Sequence, residues 1–116
     1  MDNIRTRIRS DEIDKTVNAS KQSRHIGNSS ADTSGRSYIY GNMDTAQSLV
    51  DQYHGTGEIR FDARGNWINK EFVTLNRDIG IHVNANTESE TPTNSFAIHY
   101  SKSGTHVVPS ERKVSL

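Results

Sequence analysis

Phe96-Ala97-Ile98-His99-Tyr100-Ser101-Lys102-Ser103-Gly104-Thr105-His106-Val107-Val108-Pro109 reads as a β-hairpin. The arm Phe96–Tyr100 alternates apolar and polar residues, Ser103-Gly104 supplies a turn, and Thr105–Val108 is β-branched or aromatic throughout. Alternation puts Phe96, Ile98 and Tyr100 on one face, the expected core face, and His99 with Ser101 on the other. The register of the turn decides the rest. A two-residue loop at Ser103-Gly104 pairs Ser101 with His106 and gathers His99, Ser101 and His106 on one face. A three-residue loop, with Gly104 left-handed, pairs Ser101 with Thr105; His99, Ser101 and Thr105 then share a face and His106 joins Tyr100. Both registers stay open at this level. Either way, imidazoles, hydroxyls, a phenol and an ammonium crowd a few residues of paired strand, more polar chemistry than a structural hairpin needs.

Outward from the hairpin, Glu58–Asp62, Trp67–Thr74 and Ile79–Val83 read as strands, the first two joined by a turn at Ala63-Arg64-Gly65-Asn66. Asn84–Ser95 has no large apolar residue and reads as a loop. Met43, Ala46, Leu49, Val50 and Tyr53 form an apolar stripe at helical spacing, which predicts a helix over Asp44–His54. Asp44 with Gln47 suits a capping box, and His54 in the last turn suits the helix dipole, a structural role. Before it come a loop at Asn28–Gly35 and a short strand at Tyr38-Ile39-Tyr40. Lys21, Arg24 and His25 stand at i, i+3 and i+4, so one helical turn sets all three on one side. Residues 1–20, with the basic triplet Arg5, Arg7 and Arg9, read as a linker-like extension with a solvated charged face. The expected organisation is a single domain over 21–110 and a tail over 111–116. The fold class is α+β, with N-terminal helical elements packed on an antiparallel sheet of about four strands.

Composition bounds the function. The 116 residues suit one domain, but only 31% are hydrophobic and the mean hydropathy is −0.80, so the core is thin. Fourteen basic residues balance fourteen acidic ones, so local patches rather than net charge must carry any argument for a nucleic-acid partner. With no cysteine there are no disulfides, thiolate metal sites or cysteine nucleophiles. No apolar run approaches the roughly 20 residues of a membrane span, and Met1–Arg5 lacks a signal-like apolar region. The expectation is a soluble domain that, if exported, travels by another route or as part of a longer chain. His99 and His106 across a hairpin could hold a metal, but no nearby carboxylate completes a set.

Imidazoles, hydroxyls and cations without metal ligands suit metal-independent cleavage of RNA. The substrate's own 2′-hydroxyl is the nucleophile there, so the protein need supply only a base, an acid and positive charge on the phosphate. Histidine can be base or acid near neutral pH. Lys21, Arg24, Arg36 and Lys102 are the cations available to the phosphate.

Lys21-Gln22-x-Arg24-His25-Ile26, Gly35-Arg36-Ser37, Gly55-Thr56-Gly57-Glu58, Asn69-Lys70-Glu71 and the run Ile98–Pro109 together resemble the polymorphic toxin type 50 domain. That domain ends bacterial secreted toxins and some phage head-morphogenesis proteins. The resemblance spans about Lys21 to Pro109. It implies an RNase toxin of the barnase–EndoU–colicin–RelE fold, helical elements followed by a curved four-stranded antiparallel sheet. It also implies delivery within a larger effector, action in the cytoplasm of a competitor cell, a cognate immunity protein, an RNA substrate (tRNA is the commonest target for this fold) and no cofactor. A monomer is expected.

Carried onto this chain, the resemblance makes His25, His99, Ser101, Thr105 and His106 the catalytic candidates: His25 and a hairpin histidine move protons, while Thr105 or Ser101 bonds the phosphate. Lys21, Arg24, Arg36, Tyr100 and Lys102 are the substrate-binding candidates. Lys70, Glu71 and Glu58 rank below them. Two other classes remain: a non-catalytic binding domain of a phage structural protein, which would not need its histidines, and a metal-dependent DNase, which EDTA would stop.

Overall fold

The hairpin forms, with its turn one residue earlier than expected. In the computed structural model, which describes residues 2–27 and 35–113, strand β6 (Ser95–Ser101) pairs β7 (Gly104–Ser110) through a two-residue loop, Lys102-Ser103. Ser101 faces Gly104, Tyr100 faces Thr105 and His99 faces His106. Neither expected register is right, yet the parity of the first holds: His99, Ser101 and His106 share a face, and Thr105 turns to the core with Tyr100. The misplacement has a cause. Gly104 is not a turn residue but a strand residue at φ +110°, where a Cβ would stand 2.9 Å from the carbonyl oxygen of Thr16. It is a glycine because another segment lies against it.

Upstream of the hairpin are α1 (Asp2–Arg9), α2 (Ala19–Gln22) running into a 3₁₀ turn (Ser23–His25), β1 (Tyr38–Ile39), α3 (Met43–Tyr53), β2 (Glu58–Phe61), β3 (Trp67–Thr74), β4 (Gly80–Val83) and β5 (Glu90–Thr93). The fold is α+β. Strands β2-β3-β6-β7 form a four-stranded antiparallel sheet, and β1-β4-β5 form a second, three-stranded one. Strand β5 lies inside the stretch expected to be a loop. It is a mostly exposed edge strand containing Pro92, so it has no apolar alternation to betray it. The Ser-rich stretch 28–34 and residues 114–116 lie outside the described residues.

Helix α3 packs on the core face of the large sheet, with Tyr53 edge-on to Phe96 at 6.2 Å between centroids. Ala46, Leu49 and Val50 of α3 join Ile59, Val73, Phe96, Ile98, Tyr100 and Val107 in one core with Ile8, Ile26, Ile39 and Ile79. Phe96 and Ile98 are fully buried, worth about 1.5–3 kcal/mol each. The expected cap is corrected. Asn42 caps α3 in a box with Thr45, while Gln47 reaches away, its Oε1 accepting from Val17 N at 2.8 Å and its Nε2 donating to the Lys15 carbonyl at 2.9 Å.

The first 20 residues are not a solvated extension. Ile8 is fully buried, and the Arg5 and Arg9 guanidiniums donate to the carbonyls of Gly57 and Gly55 at 2.8 and 2.7 Å. Val17 then bridges Thr105 in parallel, with Asn18 N donating to Thr105 O and Thr105 N to Thr16 O. The outer edge of β7 is thereby covered. At the other end, Lys113 is tied through its backbone to the Asn94 amide. Ion pairs such as Arg7–Glu12 are exposed and add about 0–1 kcal/mol each. Among the described residues no helix is long and apolar enough to cross a membrane.

Candidate active site

The site starts from a register. Across the large sheet Lys70 of β3 faces His99 of β6, which faces His106 of β7. Directly opposed residues share a face, so an ammonium and two imidazoles form a row across three strands on the side away from α3. The rings of His99 and His106 lie 4.7 Å apart, edge to face.

A third imidazole arrives from the start of the chain. Asn18 caps α2 by accepting from Lys21 N at 3.0 Å, and its amide donates to the Ser103 carbonyl in the hairpin loop at 2.8 Å. Gln22, fully buried, then uses its amide as a peptide unit would: Nε2 donates to Val107 O at 2.9 Å and Oε1 accepts from Val107 N at 2.6 Å. This fixes α2 along the edge of β7 and delivers His25 beside His106. Their rings are near-parallel, 5.9 Å apart. The Nδ1 of His25 is 2.7 Å from the Ser37 carbonyl oxygen. A carbonyl only accepts, so Nδ1 carries the proton and Nε2 presents a bare lone pair.

Electrostatics follow from this crowding. His99 is held down to about 3, chiefly by burial, then by His106, Lys70 and His25. His106 is held down to about 4 by burial, then by His25, Lys21, Arg24 and Lys70. His25 is also lowered by burial, with the Ser37 carbonyl opposing and Arg36 and Arg24 adding to the effect. All three imidazoles are therefore neutral at pH 7 and ringed by cations. Among the described residues, Lys21, Arg24 and Lys70 form no ion pair.

The candidates sort by geometry. His25, His99 and His106 meet. Lys21 Nζ donates to Ser101 Oγ at 3.0 Å and Ser103 Oγ at 2.8 Å, which sets an ammonium and two hydroxyls at the end of the row. Arg24 and Arg36 are exposed cations whose fields reach His25, and Lys102 is exposed in the turn. Two candidates lie apart from the row. Thr105 is fully buried, donates to the Asp14 carbonyl at 2.7 Å and faces away from the histidines. The Tyr100 hydroxyl, also inside, donates to Glu71 at 2.7 Å; burial and that carboxylate push its pKa up. Glu71 itself is fully buried and accepts from the amides of Gly55 and Gly57, which makes it a structural acceptor. Glu58 is exposed, its pKa lowered by its bond from Arg60. Lys70, ranked below the histidines, is brought into the row. The signal was one pairing register away, since only the β3–β6 alignment shows that it faces His99.

Among the described residues there is no group of three or more His, Cys, Asp or Glu arranged to hold a metal ion. No curated protein matches the chain. A family model described as bacterial toxin 50 matches residues 17–109, starting at the segment that covers β7 and ending at Pro109 near its end. The match takes in all three histidines, Lys21 and Lys70, and most of the chain, so this protein belongs to the bacterial toxin 50 family.

Proposed function

We infer that this toxin domain is an endoribonuclease that works without a metal ion, delivered into competitor cells and blocked by a cognate immunity protein. The observation that carries the reading is the convergence of His25 with His99 and His106 inside a ring of cations. The Nε2 of His25 takes the proton of the ribose 2′-hydroxyl. The freed oxygen attacks phosphorus, the bond to the 5′-oxygen breaks, and a protonated hairpin imidazole, His106, gives its proton to that leaving oxygen. The products are a 2′,3′-cyclic phosphate and a 5′-hydroxyl. Lys21, Lys70 and the Ser101 hydroxyl hold the non-bridging oxygens. The phosphodiester's own negative charge raises the pKa of His106 on arrival and so supplies the acid that the free protein lacks at neutral pH. The immunity protein is the partner expected of a toxin domain, since the producing cell must survive its own product.

Total RNA incubated with the purified protein in EDTA tests this. The expected result is cleavage with cyclic-phosphate ends, slowed about 10²–10⁴-fold in His25→Ala. Persistent cleavage of a fully 2′-O-methylated substrate overturns the chemistry, and a requirement for added divalent cation overturns the metal independence.

A further inference from the structure

The core accounts for only one side of β1. Ile39 is fully buried and bridges Ile26 in parallel, and both belong to the core with α3. Strand alternation turns Tyr38 to the opposite side, the side on which His25 meets His106. Two ties fix that placement. The Ser37 carbonyl, one residue before Tyr38, holds the Nδ1 of His25 at 2.7 Å. The Tyr38 ring lies along Gly27, two residues after His25, where a Cβ would stand 2.9 Å from the ring's Cδ2 and push it off its seat. Ile81, opposite Tyr38 on β4, shares its face and is half-buried. Tyr40, the next residue in step, is 45% exposed. Arg36, the residue in step before, is an exposed cation whose field reaches His25.

Aromatic rings and a cation spaced along an extended segment are what single-stranded RNA uses: platforms for successive bases and charge for the backbone. Here the segment starts beside His25. Tyr38 and Tyr40 stand two residues apart, roughly 7 Å along an extended chain, room for one base each. We propose that the outward face of β1 is a track for single-stranded RNA. The base of the nucleotide that brings its 2′-hydroxyl to His25 stacks on Tyr38, and the adjacent base on Tyr40. Stacking reads no base edge, so the track accepts any base and discriminates against a missing one. The proposal rests on the ribonuclease reading for where the phosphate lies, but its test needs no cleavage.

A fluorescein-labelled tetranucleotide with fluorine in place of every 2′-hydroxyl has no internal nucleophile, so its binding to the full chain is read by anisotropy without cutting. The same backbone without bases is the second probe. Tyr38→Leu should weaken binding of the base-bearing probe about 5- to 100-fold, as loss of one stacking partner does, and leave the base-free probe unchanged. Tyr38→Phe should restore most of the loss. Tyr40→Leu, at an exposed position that the fold does not need, should act in the same direction by less, and carries the test if Tyr38→Leu fails to fold. Unchanged binding in the folded variants overturns the track and leaves the aromatic face to a protein partner. Equal weakening of both probes also overturns it, because a base-free backbone has nothing to stack. RNA cleavage with binding indifferent to both tyrosines removes the track and keeps the nuclease. Base-dependent binding that needs Tyr38, without any RNA cleavage, keeps the track and removes the nuclease.

Discussion

Lys70 and Glu71 are neighbours on β3, His99 and Tyr100 on β6, Thr105 and His106 on β7. Strand alternation sends one of each pair inward and the other outward, so the same three strands carry two polar constellations back to back. Inside, the Glu71 carboxylate is saturated by two amides and a phenol, and Thr105 by the Asp14 carbonyl. Outside, imidazoles face imidazoles and cations, and among the described residues Lys21, Arg24 and Lys70 form no ion pair. Among the described residues no buried side-chain polar atom lacks a partner. The contrast separates two uses of polarity: the inner set is complete and fixes the fold, while the outer set, on the proposed reading, receives an anionic phosphate.

The largest effect should come from the inner set. Glu71→Ala orphans three donors at about 1–3 kcal/mol each, so urea unfolding should show a loss of several kcal/mol; a loss under about 1 kcal/mol would mean the network relaxes freely and the contrast is false. The outer set should respond the opposite way. His25→Ala and His106→Ala should each lower kcat/KM about 10²–10⁴-fold with little loss of thermal stability. Parallel loss of stability and activity would make these histidines part of the scaffold.

The smallest effect is on pH dependence. Between about pH 6.5 and 5 the unfolded chain protonates its histidines while the folded site, with all three pKa values depressed, resists. Stability should therefore fall as pH drops through that window and gain nothing from these groups above it. Replacing the three histidines by Gln should flatten the slope, and phosphate ions should offset it. For the same reason the free-enzyme optimum, read from kcat/KM, should lie below pH 6.5.

Much of this was legible because alternation and helical spacing are local. The apolar set Phe96, Ile98 and Tyr100, the α3 stripe and the pairing of His99 with Ser101 on one face need only neighbouring residues to be read. What escaped is long-range. Gly104 was mistaken for a turn because nothing nearby announces that Thr16 will press against it. Thr105 and Tyr100 looked like site hydroxyls until Asp14 and Glu71, far off in sequence, claimed them. Gln22 stood inside the family-like motif, yet only its grip on Val107 explains why that motif contains a glutamine. Lys70 needed the β3–β6 register, and β5 had no apolar signal at all.

The tie between Gln22 and Val107 also has a temporal consequence. Its partners stand 85 residues apart, and the three imidazoles come together only when both ends of the domain have met. A nascent chain still short of position 106 lacks one imidazole outright, and a chain threaded through a narrow conduit in extended form holds none of them together. On the proposed reading, chemistry that needs all three imidazoles is open only to the folded domain, and a blocking partner would have the folded form to recognise.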